Sequence, residues 1–264
     1  MTLLALVGSG CVARAAEPPA APSPDCADTA SLHVVIGISG HDLNAAARRG
    51  ALKAVLNQLA ARVKPGSNHL VVSAYPLGDR SLAAEPVRLS LPCLPATPEA
   101  PDLKQAPTFE RARRLDAYRH ALDSTRQAVD QAQRQLDAYG AQLLALEPRS
   151  TATDIWGFLA LAADEFATNA ATEREVIVVA RDEEVDTTYC DGCQPLRGAR
   201  VHFLAFDQPT PADQQRRRAE WSAWLVAVGA GGTTFTRSNE TIPDLFGQTA
   251  TSAPSALAPE VTHA

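Results

Sequence analysis

The sequence predicts a doubly wound α/β domain with a mostly parallel central sheet and a long helical insertion. Apolar runs short enough for buried strands alternate with amphipathic helical stretches along most of the 264 residues. Such alternation is typical of a parallel sheet that is covered by helices on both faces. One central segment instead carries a seven-residue apolar repeat, which predicts a single long helix.

The first part of the chain contains three predicted strands and one helix. Residues 33–38 form a continuous apolar run, which indicates a buried strand. Residues 42–63 place apolar side chains at helical spacing, and Pro65 with Gly66 ends that helix. Two further strands are predicted at 70–74 and 87–91, and the second is a candidate for antiparallel pairing with the first.

The second part repeats the alternation. The predicted elements are a helix at 154–166, a strongly apolar strand at 175–180, a strand at 200–206, a helix at 211–228 ended by glycines, and a last strand at 233–236. Ligands of such sheets usually bind beyond the carboxyl ends of the strands. We therefore expect a site where residues 37–41 and 181–186 follow their strands.

The seven-residue repeat occupies residues 109–147. Its two alternating apolar series are Leu115, Leu122, Val129, Leu136 and Leu143, and Tyr118, Thr125, Ala132, Tyr139 and Leu146. A helix of this extent would be about 58 Å long, which exceeds the needs of a compact α/β domain. Two interpretations stay open: the helix folds back on its own domain, or it projects and pairs with another subunit or partner.

Both ends of the chain differ in composition from the middle. Residues 1–15 resemble a signal peptide with an Ala13-Arg14-Ala15 cleavage site, or a lipoprotein signal in which Cys11 is the candidate lipidation site. A frayed apolar end without an export role is the alternative. Residues 16–31 predict a linker and residues 248–264 a disordered tail. The predicted location is the periplasm or, through a lipid on Cys11, the membrane surface.

Four cysteines remain when Cys11 is set aside. An even number in an exported chain predicts disulfides, and the simplest pairing is Cys26 with Cys93 and Cys190 with Cys193. Free thiols, a redox motif and half of a zinc site are the alternatives for Cys190 and Cys193. The net charge of −6 and the pI near 5.5 argue against a general nucleic-acid binder.

Three fragments resemble the cation-binding motifs of the von Willebrand factor type A family. The first is Gly-Ile-Ser-Gly-His after the first strand, where the family has Asp-x-Ser-x-Ser. Gly37 stands in the Asp position, Ser39 is kept and His41 replaces the second Ser. The second fragment, residues 151–155, offers Thr153 in the place of the family's metal-reaching Thr. The third ends in Asp182, which matches the Asp of the family's Thr-Asp-Gly.

The resemblance implies a type A-like domain over residues 32–247, interrupted by the helical insertion at 108–147. It also implies a degenerate metal site of Ser39, Thr153 and Asp182, with His41 and Asp154 as helpers. Mg²⁺ or Mn²⁺ prefers an oxygen shell with carboxylates, and Gly37 offers no ligand. A ring nitrogen from His41 suits Zn²⁺ better. We therefore expect no cofactor, with a divalent cation as the alternative.

The function predicted from the sequence is a non-catalytic, extracytoplasmic protein-binding module. Its protein partner would bind through the strand-end face, the insertion or both, and oligomerisation through 109–147 is a further option. A metal-dependent adhesion module is the alternative, and a serine hydrolase using Ser39 is a remote one. Ser39 and His41 on one tight loop are poorly placed for proton relay, and no Walker loop, HExxH or dinucleotide fingerprint occurs.

Overall fold

The computed structural model describes residues 31–40, 43–78, 85–104, 107–146, 153–169, 171–181 and 196–247. Within these ranges the elements, in chain order, are β1 Leu32–Ser39, α1 Ala45–Arg62, β2 Leu70–Leu77, β3 Val87–Leu91, α2 Thr108–Ala145, α3 Ile155–Thr168, β4 Glu173–Val179, β5 Arg200–Leu204, α4 Pro211–Ala227 and β6 Gly232–Thr236. None of the helices in the described part of the chain is long and apolar enough to cross a membrane.

The six strands form one sheet in the order β3-β2-β1-β4-β5-β6. Every neighbouring pair is parallel except β2 with β3, which is antiparallel. The strand order reverses between β1 and β4, which is the defining feature of a doubly wound sheet. The predicted fold class, including the long helix, is confirmed. At the reversal Gly37 in β1 lies beside Tyr75 in β2 and Val178 in β4.

The two faces of the sheet have separate apolar cores. Val34, Ile36 and Ile38 point to the face that carries α1 and α2. Val35 points to the opposite face, which carries α3 and α4. All eight residues of β1 are buried, which explains why this strand is a continuous apolar run rather than an alternating one.

The α1 face is completed by a segment without regular secondary structure near the end of the chain. Leu245 and Phe246 are buried in the same core as α1. Gln58 of α1 holds this segment, because its Nε2 donates to the Pro243 carbonyl and its Oε1 accepts from the Leu245 amide, both at 2.8 Å. The segment therefore covers apolar surface beside α1 without forming a helix or strand.

The long helix α2 packs against α1 through its second half only. Its buried residues beyond Ser124 are Thr125, Ala132, Leu136, Tyr139, Gly140 and Leu143, and all except Gly140 belong to the seven-residue repeat. A Cβ on Gly140 would lie 3.2 Å from Leu56 Cδ1, so the glycine allows the two helices to approach closely. The second half of α2 therefore folds back on its own domain, as one of the two interpretations from the sequence predicted.

Candidate functional site

The structure brings Ser39 and Thr153 together at the carboxyl end of β1. Ser39 is the last residue of β1, and Thr153 directly precedes the cap of α3. Their hydroxyl oxygens lie 2.8 Å apart and share a hydrogen bond, although 114 residues separate them in the sequence. Ser39 is 0% exposed and Thr153 9% exposed. Two of the three predicted ligands thus meet as a buried hydroxyl pair.

Gly37, in the position of the family's first Asp, has no room for a side chain. A Cβ at this position would lie 2.8 Å from Leu77 Cδ2 and 2.9 Å from two ring atoms of Phe158. Leu77 and Phe158 are both 0% exposed, so neither can swing away without opening the core. The space in which the family places a carboxylate is therefore filled by apolar side chains from β2 and α3.

Asp154, a predicted helper of the metal site, is the N-cap of α3. Its Oδ1 accepts a hydrogen bond of 2.7 Å from the Gly157 amide. An aspartate in this position satisfies one of the amides at the helix start and interacts favourably with the helix dipole. The side chain thus has a structural task at the edge of the site.

Most of the remaining residues that the sequence predicted as metal ligands, as disulfide partners or as the lipidation site lie outside the described ranges. His41, Asp182, Cys11, Cys26, Cys190 and Cys193 lie outside the described residues. Cys93 is described and is disulfide-bonded. Because the other cysteines lie outside the described ranges, the pairing stays a prediction. Among the described residues no three His, Cys, Asp or Glu side chains form a group that could hold a metal ion.

Two adjacent clefts lie further along the same edge, at the carboxyl ends of β5 and β6. One, of about 320 Å³, is lined by Gln208, Gln215 and Arg218. The other, of about 270 Å³, lies against Ala47 and Gly50 of α1 and the residues that follow β6. Arg237 and Glu240 line both clefts. The carboxyl-end edge of the sheet therefore has two clefts with charged residues beside β5 and β6, and the buried hydroxyl pair lies at the end of β1.

Sequence reasoning did not anticipate a partly buried charge cluster on the α3 face. Glu165 of α3 accepts hydrogen bonds from the Tyr75 hydroxyl and from Arg88 Nη2, and its Oε2 lies 3.0 Å from His33 Nε2. Burial raises the pKa of Glu165, but hydrogen bonds from His33, Tyr75 and Ser73 outweigh it and lower the pKa to about 2. Burial of Tyr75 and its hydrogen bond to Glu165 raise the pKa of Tyr75 to about 12.

A second charge cluster lies on the α1 face, in the amino-terminal halves of β4, β5 and β6. Arg200 donates to Glu175 through Nε at 2.7 Å and through Nη2. His202 lies between Glu175 Oε2 and Thr234 Oγ1, with each oxygen 2.8 Å from one ring nitrogen. Glu175 is 1% exposed and His202 4% exposed. The polar residues of both clusters sit inside strands or on a helix face and gave no motif.

Comparisons with known proteins report similarity at the level of structure only. No family model matches the chain, and no curated protein matches it significantly. A von Willebrand factor type A structure from Catenulispora acidiphila aligns at 14% identity and a TM-score of 0.37, over 79% of this chain and 38% of that one. An aerotolerance-related membrane protein from Bacteroides fragilis aligns at 10% identity and a TM-score of 0.35, over 79% and 91%.

Proximal thread matrix protein 1 from the mussel byssus aligns at 12% identity and a TM-score of 0.30, over 80% of this chain and 43% of that one. This chain therefore spans less than half of the Catenulispora and mussel structures. Similarities of this size support no inference about activity. The fold class rests on the strand order and register of the chain itself.

Proposed function

We propose that this protein is a non-catalytic, extracytoplasmic protein-binding module whose type A-like scaffold works without a bound cation. The partner is a protein that docks on the carboxyl-end edge of the sheet, where Arg237 and Glu240 line two adjacent clefts. The single observation that carries the proposal is the packing around Gly37. Leu77 and Phe158 occupy the space that a metal-binding carboxylate would need.

The hydroxyl pair supports the same conclusion. Ser39 and Thr153 hydrogen-bond to each other, so each satisfies the other's polar oxygen inside the core. Mg²⁺ usually takes one or two carboxylates and retains several waters, which a closely packed pair of neutral hydroxyls does not offer. The burial of Ser39 also disfavours the hydrolase reading, because a nucleophile must be reached by its substrate.

Photo-crosslinking tests the docking edge and the cation question together. We would place a photoreactive amino acid at Glu240, on the edge, and at Ala223, which is exposed in the second half of α4. In cells that naturally produce the protein, we expect a discrete protein adduct from position 240 and none from position 223. EDTA should leave this adduct unchanged. An adduct that EDTA removes and Mg²⁺ restores would favour the metal-dependent adhesion module instead.

Calorimetry supplies the direct measurement of cation binding. The full chain would be titrated with Mg²⁺, Mn²⁺ and Zn²⁺ beside an Asp182→Ala variant. We expect no saturable heat from any of the three cations. Saturable binding that Asp182→Ala abolishes would overturn the cation-free part of the proposal, while leaving the docking edge to be judged by the crosslinks.

A further inference from the structure

The first half of α2 and the extended segment before it form a projection that the proposed function does not use. We name this projection the arm and define it as residues 95–104 together with residues 108–124. Two contacts between α2 and α1 show at which edge of the domain the arm begins. Gly140 of α2 lies beside Leu56 of α1, and Gln133 Nε2 donates to the Val63 carbonyl at 3.2 Å. Moving from Gly140 to Gln133 therefore follows α1 from its middle to its end.

That end of α1 coincides with the amino edge of the sheet. Leu32, the first residue of β1, donates its amide to the carbonyl of His69, which follows α1 and precedes β2. Because α2 continues in the same direction from Gln133 to Thr108, its first half extends past this edge. The 17 residues from 108 to 124 account for about 25 Å of helix. The arm thus points away from the docking edge proposed above.

An extended strap lies along this part of the helix. Pro95, Pro98 and Pro101 are half-buried and three residues apart, while residues 96, 97, 99 and 100 are exposed. A three-residue period is that of a polyproline II helix, which rises about 3.1 Å per residue. The Gly66 amide donates to the Pro95 carbonyl at the edge of the domain, and Arg114 Nη1 donates to the Asp102 carbonyl further out.

The seven-residue repeat on the arm, which lies beside the strap of residues 95–104, offers little exposed apolar surface for pairing with a second copy of the chain. Leu115, Tyr118 and Leu122 continue the seven-residue repeat along the arm and are half-buried. The residues that flank this series include Arg114, Arg119 and Arg126, all on the arm or at its base. In a self-paired coiled coil these positions would bring like charges together, which is unfavourable. The arm is therefore poorly suited to dimerisation through this face.

The tip of the arm combines an exposed aromatic ring with positive charge. Phe109 is 79% exposed, and it is one of two large hydrophobic side chains with such exposure among the described residues. Lys104, Arg111 and Arg113 lie within five residues of Phe109 in the sequence and are exposed as well. Residues 102–114 contain four basic and two acidic residues, a net charge of +2, whereas the whole chain has a net charge of −6.

We propose that the tip of the arm is a membrane-contact site, in which Phe109 enters the interface of an anionic lipid surface and Lys104, Arg111 and Arg113 meet lipid phosphates. Aromatic rings favour the membrane–water interface, and basic side chains are attracted to anionic lipids. The chain outside the structure agrees with this occupant. It joins the domain at Ser31, on the edge from which the arm projects, and its candidate lipidation site is Cys11.

The distances are compatible with a shared membrane plane. Nineteen residues lie between Cys11 and Ser31 in the sequence. For a random coil of about this number of residues, the root-mean-square end-to-end distance is about 25 Å, close to the length of helix in the arm. A lipid on Cys11 and the tip of the arm can therefore reach one surface, which turns the docking edge of the sheet away from the membrane.

Vesicle co-sedimentation tests this site without any partner protein, so its outcome is independent of the proposed function. The full chain carries Cys11→Ser, which removes any contribution from acylation. Vesicles contain either phosphatidylcholine alone or phosphatidylcholine with one third phosphatidylglycerol. We expect binding to the anionic vesicles only, weakened by added salt. Arg111→Glu with Arg113→Glu should weaken it by about thirtyfold or more, and Phe109→Ser by about tenfold.

A matched charge reversal provides the control. Arg49→Glu with Lys53→Glu changes the net charge equally, on exposed positions of α1 nearer the opposite edge of the sheet. This variant should bind within about twofold of the parent protein, since only charges near the lipid surface contribute strongly. Equal binding to neutral vesicles, equal losses in both double variants, or no binding to anionic vesicles would overturn the proposal. So would dimerisation by light scattering that Phe109→Ser abolishes, because it would assign the tip to a second copy.

Discussion

The two ends of the sheet differ in the chemistry that they bury. At the carboxyl end of β1, Ser39 and Thr153 form a neutral hydroxyl pair, and Gly37 is enclosed by Leu77 and Phe158. Toward the amino end, the sheet buries a carboxylate on each face, both of them with histidine and arginine partners. In parallel α/β sheets the carboxyl end is the usual place for ligand binding. In the part of the chain that the structure describes, the most deeply buried carboxylate, Glu175, lies toward the opposite end.

The charged groups toward the amino end of the sheet stabilise the fold. Glu165 on α3 is held by side chains from β1, β2 and β3, and Glu175 on β4 is held by two side chains from β5, so each connects elements of the fold. At the carboxyl end, apolar packing around Gly37 fixes the start of α3 against β1 and β2 with no ionic contact of its own. Apolar contacts hold the scaffold together at that end, and on this basis we propose a function that needs no cation.

The largest expected effect comes from restoring a carboxylate at the carboxyl end. Gly37→Asp would force a side chain against Leu77 and Phe158 and bury an acidic group, so we expect a loss of roughly 4 kcal/mol in the free energy of unfolding. Urea denaturation measures it. Gly50→Asp is the control, because a Cβ there meets nothing within 4 Å. A Gly37→Asp protein of normal stability that binds Mg²⁺ saturably would remove the distinction between the two ends.

A somewhat smaller effect is expected at the amino end from Glu175→Gln. The substitution leaves the half-buried Arg200 and the buried His202 without their anionic partner, so the free energy of unfolding should fall by about 3 kcal/mol at pH 7. The matched control is Glu173→Gln, two residues earlier in β4, whose pairing with Arg62 is half-exposed and spans 3.9 Å. Its cost should stay below about 0.5 kcal/mol. Equal costs for the two variants would show that the buried cluster contributes no more than a surface pair.

The smallest of the three effects is a pH dependence from Glu165. Its pKa is lowered from 4.5 to about 2 in the folded protein, so its contribution is fully present above pH 4.5 and is lost as the pH falls toward 2. The loss should be on the order of 2–3 kcal/mol. Urea midpoints between pH 5 and pH 2 measure it, and Glu165→Gln should flatten the curve in that window. An unchanged slope in the variant would assign the acid sensitivity to other carboxylates.

The sequence predicted the fold because its signals are local. The run 33–38 and the helical spacing after it identify β1 and α1, and each requires only neighbouring residues. Topology then predicted that polar residues after β1 would lie near those after β4. The packing of Gly37 could not be predicted, since Leu77 and Phe158 are distant in sequence and reach it only through the folded core.

The charge clusters were missed for a related reason. A glutamate in an apolar strand is visible in the sequence, but its partners on other strands are set by register. The strap of the arm, in contrast, carries a local signal. Proline recurs at residues 95, 98 and 101, and this period of three could have predicted an extended segment beside the long helix.

The segment that Gln58 holds has a consequence for how the chain folds in time. Leu245 and Phe246 complete the core on the α1 face, more than 180 residues after the helix that anchors them. A chain that emerges from the ribosome or a translocation channel with its amino end first can form β1, α1 and β2 early. Its core on the α1 face stays incomplete until residue 246 has emerged, and until then the chain exposes apolar surface that chaperones can bind.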